Sequence, residues 1–217
     1  MDRIHFTTAD GLTLEGELHR PGGPPRARAV ICHPHPQHGG SKDHPVLWAI
    51  RIELTRRGFL ALTFNFRGVM GSTGQYGGGD AEILDAQAAI DRMEDEAEGP
   101  LFLCGWSFGA SVALRTALDD DRVQALALVG FPLGETSVRL PPVPEPARLA
   151  AYRRPVLFVA GDADEFCPAP KLRGLAGRFP NATVEVVPGT GHFFPKRERD
   201  AAVLIGAFAE QKLFEEG

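Results

Sequence analysis

The sequence predicts an α/β fold, a doubly wound and mostly parallel sheet entered through an antiparallel hairpin. Two observations carry that prediction. The first twenty residues alternate apolar and polar side chains around a tight-turn dipeptide. From residue 29 onward, short runs that are apolar at successive positions alternate with segments of helical spacing. Strands covered by helices on both faces read as such unbroken runs, because neither side of the strand meets water.

The elements follow in order. "RIHFTTADGLTLEGELHRP" turns at Asp10-Gly11 and reads as a β-hairpin. Beyond the loop "GGPPR" come six strand-like runs: "AVICH" (29–33), "LALTFNF" (60–66), "LFLCGW" (101–106), "ALALVGF" (125–131), "VLFVAG" (156–161) and "TVEVV" (183–187). Helical stripes lie between them. Leu47, Ile50 and Leu54 start after Pro45 and stop at Gly58. Ile83, Ala86, Ile90 and Met93 follow Asp80, an N-cap by residue type, and end before Gly99-Pro100. Leu172, Leu175, Ala176 and Phe179 form a third stripe; Ile205, Phe208 and Ala209 belong to a fourth. Between Leu133 and Arg154 lie Pro141, Pro142, Pro144 and Pro146 with little periodicity. That stretch is expected to be a loop or one short helix, a cap segment too small to form a lid domain.

Composition narrows the function classes. At 217 residues the chain suits one domain, 1–217, with a sizeable core. Hydrophobic residues are 43% and charged residues 24%, and the net charge of −5 argues against nucleic acid or anionic lipid as a partner. The start, Met1-Asp2-Arg3-Ile4-His5, carries no apolar leader, and no apolar run reaches membrane-spanning length. A cytoplasmic protein that meets a small-molecule partner, as a monomer or homodimer, is expected. Cys32, Cys104 and Cys167 show no Cys-x-x-Cys spacing; the first two sit in apolar runs and read as buried thiols.

The chemical signal is Gly105-Trp106-Ser107-Phe108-Gly109, which follows an apolar strand and precedes a helical run with Val112, Ala113 and Leu114. A serine nucleophile projects from a sharp strand-to-helix turn in a strained conformation, and glycines two positions either side leave the room that turn needs. Ser107 would then face the N–H groups of a helix start, where negative charge is favoured. Its hydroxyl needs a base, and the base an orienting carboxylate, in the chain order Ser, acid, His. "VLFVAGDADEFCP" offers Asp162 and Asp164 just past a strand, and "TVEVVPGTGHFF" offers His192 past the last one. All three positions fall at carboxyl ends of strands, the rim where open α/β sheets keep their sites.

With "HPHP…GG", "FNFRG…GSTG", "GWSFGA", "GDAD" and "GHFF" in this order, the sequence resembles the α/β-hydrolase superfamily, and specifically its small lidless serine members, from Ile4 to about Phe208. The resemblance implies Asp164 as the acid, with Asp162 in a supporting role, and His192 as the base. Dienelactone-hydrolase-like relatives use a cysteine nucleophile; this chain has serine, which favours ordinary ester hydrolysis. No cofactor is implied.

An acyl-transfer enzyme must stabilise an oxyanion. One backbone N–H is expected from Phe108, after the nucleophile, and the second from the loop after the third strand, which "AVICHPHPQHGG" matches. Pro34 and Pro36 have no N–H, so His35 is the expected donor, with Gln37 behind it. His33, His35 and His38 lack a further ligand at a familiar zinc offset, so no metal is expected. Arg67 reads as a loop anchor, and "QYGGGD" (75–80) lacks the Gly-Lys-Ser/Thr of a phosphate cradle. Glu94, Asp95, Glu96 and Glu98 read as a solvated helix end.

The expected activity is hydrolysis of carboxylic esters of small to medium acyl chains through an acyl-enzyme. A short cap leaves the site open to water, which suits deacylation better than chemistry that needs a covered cavity. Phe131, Phe166, Phe193 and Phe194 are available for an apolar groove. The same three residues also suit an acyl-CoA or other thioesterase, with Arg148, Arg153 and Arg154 available for phosphates, or a serine peptidase or amidase.

Overall fold

A computed structural model describes residues 1–134, 138 and 140–215. Its strands are β1 (Asp2–Thr7), β2 (Thr13–His19), β3 (Ala27–Cys32), β4 (Phe59–Phe64), β5 (Leu101–Trp106), β6 (Val123–Val129), β7 (Val156–Gly161) and β8 (Ala182–Val187). They form one eight-stranded sheet in the order β1-β2-β4-β3-β5-β6-β7-β8. β1 pairs antiparallel with β2, and β2 with β4; every other pairing is parallel. The expected fold class is therefore the observed one, and among the described residues no separate lid covers the sheet.

Burial explains the sequence pattern. β4, β5 and β7 are buried at every position, because helices cover both faces. α1 (Pro45–Arg56) and α6 (Glu198–Glu210) pack on one face, where Leu47, Ile50 and Ile205 meet Ile31, Phe102 and Val159. α2 (Glu82–Glu96), α3 (Phe108–Ala117), the short α4 (Pro146–Ala151) and α5 (Ala169–Ala176) supply the other face, through Ile90, Val112, Leu149 and Leu172. The edge strand β1 keeps the alternation of a half-exposed strand, with Phe6 buried between exposed neighbours.

Three local expectations are corrected. Asp80 does not cap α2; its carboxylate pairs with Arg115 (2.6 Å), while Glu82, fully buried, accepts the N–H groups of Gly77 and Gly79 (2.7 Å each). The glycine-rich turn before α2 needs two acceptors for its own N–H groups, and a carboxylate inside the helix serves both. α5 stops at Ala176, and Phe179 packs beyond it against Tyr152 and Phe158. The acidic end of α2 is partly paired, with Glu94 on Arg122 and Glu96 on Arg20 and Arg92. The Pro-rich stretch does contain the single short helix α4, though residues 135–137 and 139 of that cap segment lie outside the described residues. No helix among the described residues is long and apolar enough to cross a membrane.

Candidate active site

Ser107 sits between β5 and α3 with φ 58° and ψ −120°, a region that L residues rarely occupy. Its N–H donates to the carbonyl of Val129 at the end of β6 (2.8 Å), and its own carbonyl accepts from Ala110 (2.9 Å). The flanking glycines are sterically required. A Cβ on Gly105 would overlap the carbonyl of Gly109, and one on Gly109 would overlap the carbonyls of Cys32 and His33. The turn thus wedges between its own helix and the end of β3.

The two downstream loops converge on this serine. Asp164, past β7, has a fully buried carboxylate whose Oδ1 accepts the N–H groups of Phe166 (3.0 Å) and Cys167 (2.9 Å). Oδ2 faces Nδ1 of His192 at 2.9 Å. A carboxylate only accepts, so Nδ1 carries the proton and Nε2 is left as an acceptor. Nε2 lies 2.9 Å from the Ser107 hydroxyl. Three residues spread over 86 positions therefore stand in one hydrogen-bonded line at the carboxyl rim of the sheet. Asp162 points elsewhere: its exposed carboxylate accepts from the backbone N–H of Thr190 (3.1 Å). The Gly189 and Thr190 N–H groups hold it below the usual carboxylate range. It ties the aspartate loop to the histidine loop, the supporting role expected of it.

The loop after β3 closes the opposite side. Both nitrogens of the His33 ring are used internally. Nε2 accepts from the Phe66 N–H (2.9 Å), which leaves the proton on Nδ1 to donate to the Pro34 carbonyl (2.6 Å). His35 lies two residues beyond His33, its ring 5.0 Å from that of Phe108. The Gln37 N–H donates to Nδ1 of His35 (3.2 Å), so of the two donors weighed for this loop Gln37 is already engaged. Phe108 opens α3, where an N–H has no carbonyl one turn earlier to bond. Among the described residues, no group of three or more His, Cys, Asp or Glu is arranged to hold a metal ion.

A family model for the alpha/beta hydrolase domain matches residues 27–210, which include every residue just described. The chain belongs to that family. Among its similar structures is an alpha-beta serine hydrolase homologue from Coxiella burnetii, 29% identical, with a TM-score of 0.81 over 94% of this chain and 96% of that one. A lidless serine hydrolase from Xanthomonas campestris is 27% identical, with a TM-score of 0.78 over 96% and 94%. An uncharacterized protein of Rickettsia prowazekii is 28% identical over 96% of this chain and 88% of its own.

Several residues that shape the site in this hydrolase carry no obvious sequence signal. Gly130 ends β6 at φ 53°, and a Cβ there would lie 2.9 Å from Cε1 of His192, so only glycine leaves the imidazole its place. It is hidden inside the apolar run "ALALVGF", where a strand-terminal glycine is the one available hint. The Trp106 indole N–H donates to the carbonyl of His192 (3.2 Å), across 86 residues. Of the four phenylalanines proposed for a groove, only two flank the site. The rings of Phe166 and Phe193 lie 5.0 and 5.4 Å from that of His192, and Phe193 is 57% exposed. Phe131 and Phe194 are instead buried in the two cores, one on each face of the sheet. Arg67 is the anchor it was expected to be: it grips Asp85 (2.7 Å) and Asp10 (2.8 Å). Arg148, Arg153 and Arg154 line a cleft of about 410 Å³ with Asp119, Asp120 and Asp121, beside the amino end of β6 and the segment leading into β7. That is the edge opposite Ser107.

Proposed function

We propose that this hydrolase cleaves carboxylic esters of small to medium acyl chains through an acyl-enzyme on Ser107. What supports this most is the 2.9 Å contact between the Ser107 hydroxyl and an imidazole whose other nitrogen is held by a buried carboxylate. His192 takes the serine proton as Oγ attacks the ester carbonyl, and Asp164 stabilises the imidazolium that results. The N–H groups of Phe108 and His35 receive the oxyanion, each worth about 3–4 kcal/mol in the transition state. His192 then protonates the departing alcohol, and a water activated by the same ring releases the acid. Asp162 takes no part in the proton transfer. The substrate is a small-molecule ester met in the cytoplasm, and no cofactor enters the cycle.

The ester preference rests on a rim that no separate lid covers among the described residues, which leaves the acyl group within reach of water. The three arginines that would have favoured acyl-CoA, Arg148, Arg153 and Arg154, line a cleft at the far edge of the sheet, away from Ser107. Kinetics over p-nitrophenyl esters of increasing chain length, with an acyl-CoA and a peptide amide alongside, test the assignment. Turnover should peak on short to medium esters, and Ser107→Ala should lower kcat by at least about 10³-fold with an unchanged thermal unfolding curve. Turnover retained in Ser107→Ala, or confined to the thioester or amide, contradicts it.

A further inference from the structure

The glycine-rich stretch before α2 reaches the β3 loop through the side chain of Tyr76. Its hydroxyl lies 3.1 Å from Nε2 of His35, and its ring stands 4.9 Å from the His35 ring and 5.7 Å from that of Phe108. Because the Gln37 N–H donates to Nδ1 of His35, that nitrogen is an acceptor, and the ring proton resides on Nε2. His35 therefore donates to the Tyr76 oxygen, and the two bonds together fix one tautomer and one ring orientation. The Gln37 bond also closes the short turn Pro36–His38, whose backbone is further tied by the His38 and Gly40 N–H groups to the His35 carbonyl (3.1 and 3.0 Å).

The backbone on either side of Tyr76 is closely held. Just beyond it, the buried Glu82 carboxylate pins the N–H groups of Gly77 and Gly79. Gly79, at φ 95°, lies so close to Pro141 and Phe108 that a Cβ would overlap the proline ring and stand 3.3 Å from the phenylalanine. At the base of the stretch, a Cβ on Gly68 would lie 3.0 Å from Cα of Gln75. These contacts brace the backbone on either side of Tyr76, whose ring stands against His35 and Phe108.

From these contacts we infer that Tyr76 is a positioning residue for the oxyanion-binding backbone, acting through the His35 imidazole. This inference rests on the serine-hydrolase function proposed above. An oxyanion donor matters most once charge has developed, so its misalignment lowers kcat more than it raises KM. The test is Tyr76→Phe, which keeps both ring contacts and removes the hydroxyl that accepts from His35. The expected result is a fall in kcat of about tenfold with KM within about twofold, and an equal rise in the inhibition constant of phenylboronic acid, whose tetrahedral adduct mimics the oxyanion. Nitrogen-15 imidazole spectra should show the Nε2–H tautomer of His35 in the unmutated protein and a mixture in the variant. Unchanged kcat and boronate affinity in Tyr76→Phe would overturn this inference alone, as would a rise in KM without loss of boronate affinity. Absence of both turnover and a boronate adduct in the unmutated protein would overturn the serine-hydrolase assignment, and the inference with it.

Discussion

Ser107 occupies a backbone conformation that costs about 1–3 kcal/mol, and its surroundings over-determine it. The bond to Val129, the two glycines and the first turn of α3 leave the chain no relaxed alternative. Such local demands are legible in sequence, because Gly-x-Ser-x-Gly concentrates them within five residues. Gly130 makes an equally strict demand but shows no comparable motif, since the atom it must avoid belongs to a residue 62 positions away. His33 illustrates a further consequence of burial at the residue scale. Enclosed on all sides, its imidazole is pushed down to about 3, against an ordinary value of 6.5. As pH falls below 6.5 the unfolded chain gains a proton that the folded one refuses until near pH 3. Stability from this group is therefore complete above 6.5 and is lost on acidification between 6.5 and 3. Between pH 7 and pH 5 the loss should be about 2 kcal/mol, and His19, lowered by burial to about 4, adds to it with the same sign. Urea unfolding at the two pH values checks this: His33→Gln should shrink the pH 7-to-5 difference by about 2 kcal/mol, and an unaltered difference would contradict the account.

At the scale of elements, the loops that carry the site are fastened to one another as firmly as to the sheet. Asp162 joins the aspartate and histidine loops, and Trp106 holds the histidine backbone. Arg67 joins three segments: the stretch after β4, the helix α2 through Asp85, and the hairpin turn through Asp10. Asp85 is fully buried, so removing its partner would strand a carboxylate away from water. Arg67→Ala should cost about 3–5 kcal/mol in urea unfolding, much more than a solvated ion pair is worth. A cost below about 1 kcal/mol would mean the network is not structural. Sequence patterns give the elements themselves readily, because continuous apolar runs and 3.6-residue stripes are local properties. Element ends are less legible. Asp80 has the residue type of a cap, yet the glycines before α2 turn their N–H groups toward Glu82, and that preference emerges only from the folded loop.

Across the whole molecule, the sheet order turns sequence distance into contact. β5, β6, β7 and β8 are adjacent and parallel, so the loops that follow β5, β7 and β8 open on one rim, and β3 beside β5 brings the loop that carries His33 and His35 to the same place. Chain order and fold class point to this convergence, and the partners Ser107, Asp164 and His192 are legible for that reason. The identity of the groove is not: four phenylalanines are equivalent in the sequence, and only packing separates Phe166 and Phe193 at the rim from Phe131 and Phe194 in the cores. In the function proposed above, substrate range would follow that surface, and the chemistry would follow the three-residue line together with the backbone donors beside it. The most direct measurement is reaction with a fluorophosphonate followed by peptide mass spectrometry. One adduct per chain on Ser107, absent in Ser107→Ala and formed at least about 10³-fold more slowly in His192→Ala, is the predicted result. Labelling at another residue, or labelling of Ser107 at an undiminished rate without His192, would contradict an activated serine at this rim.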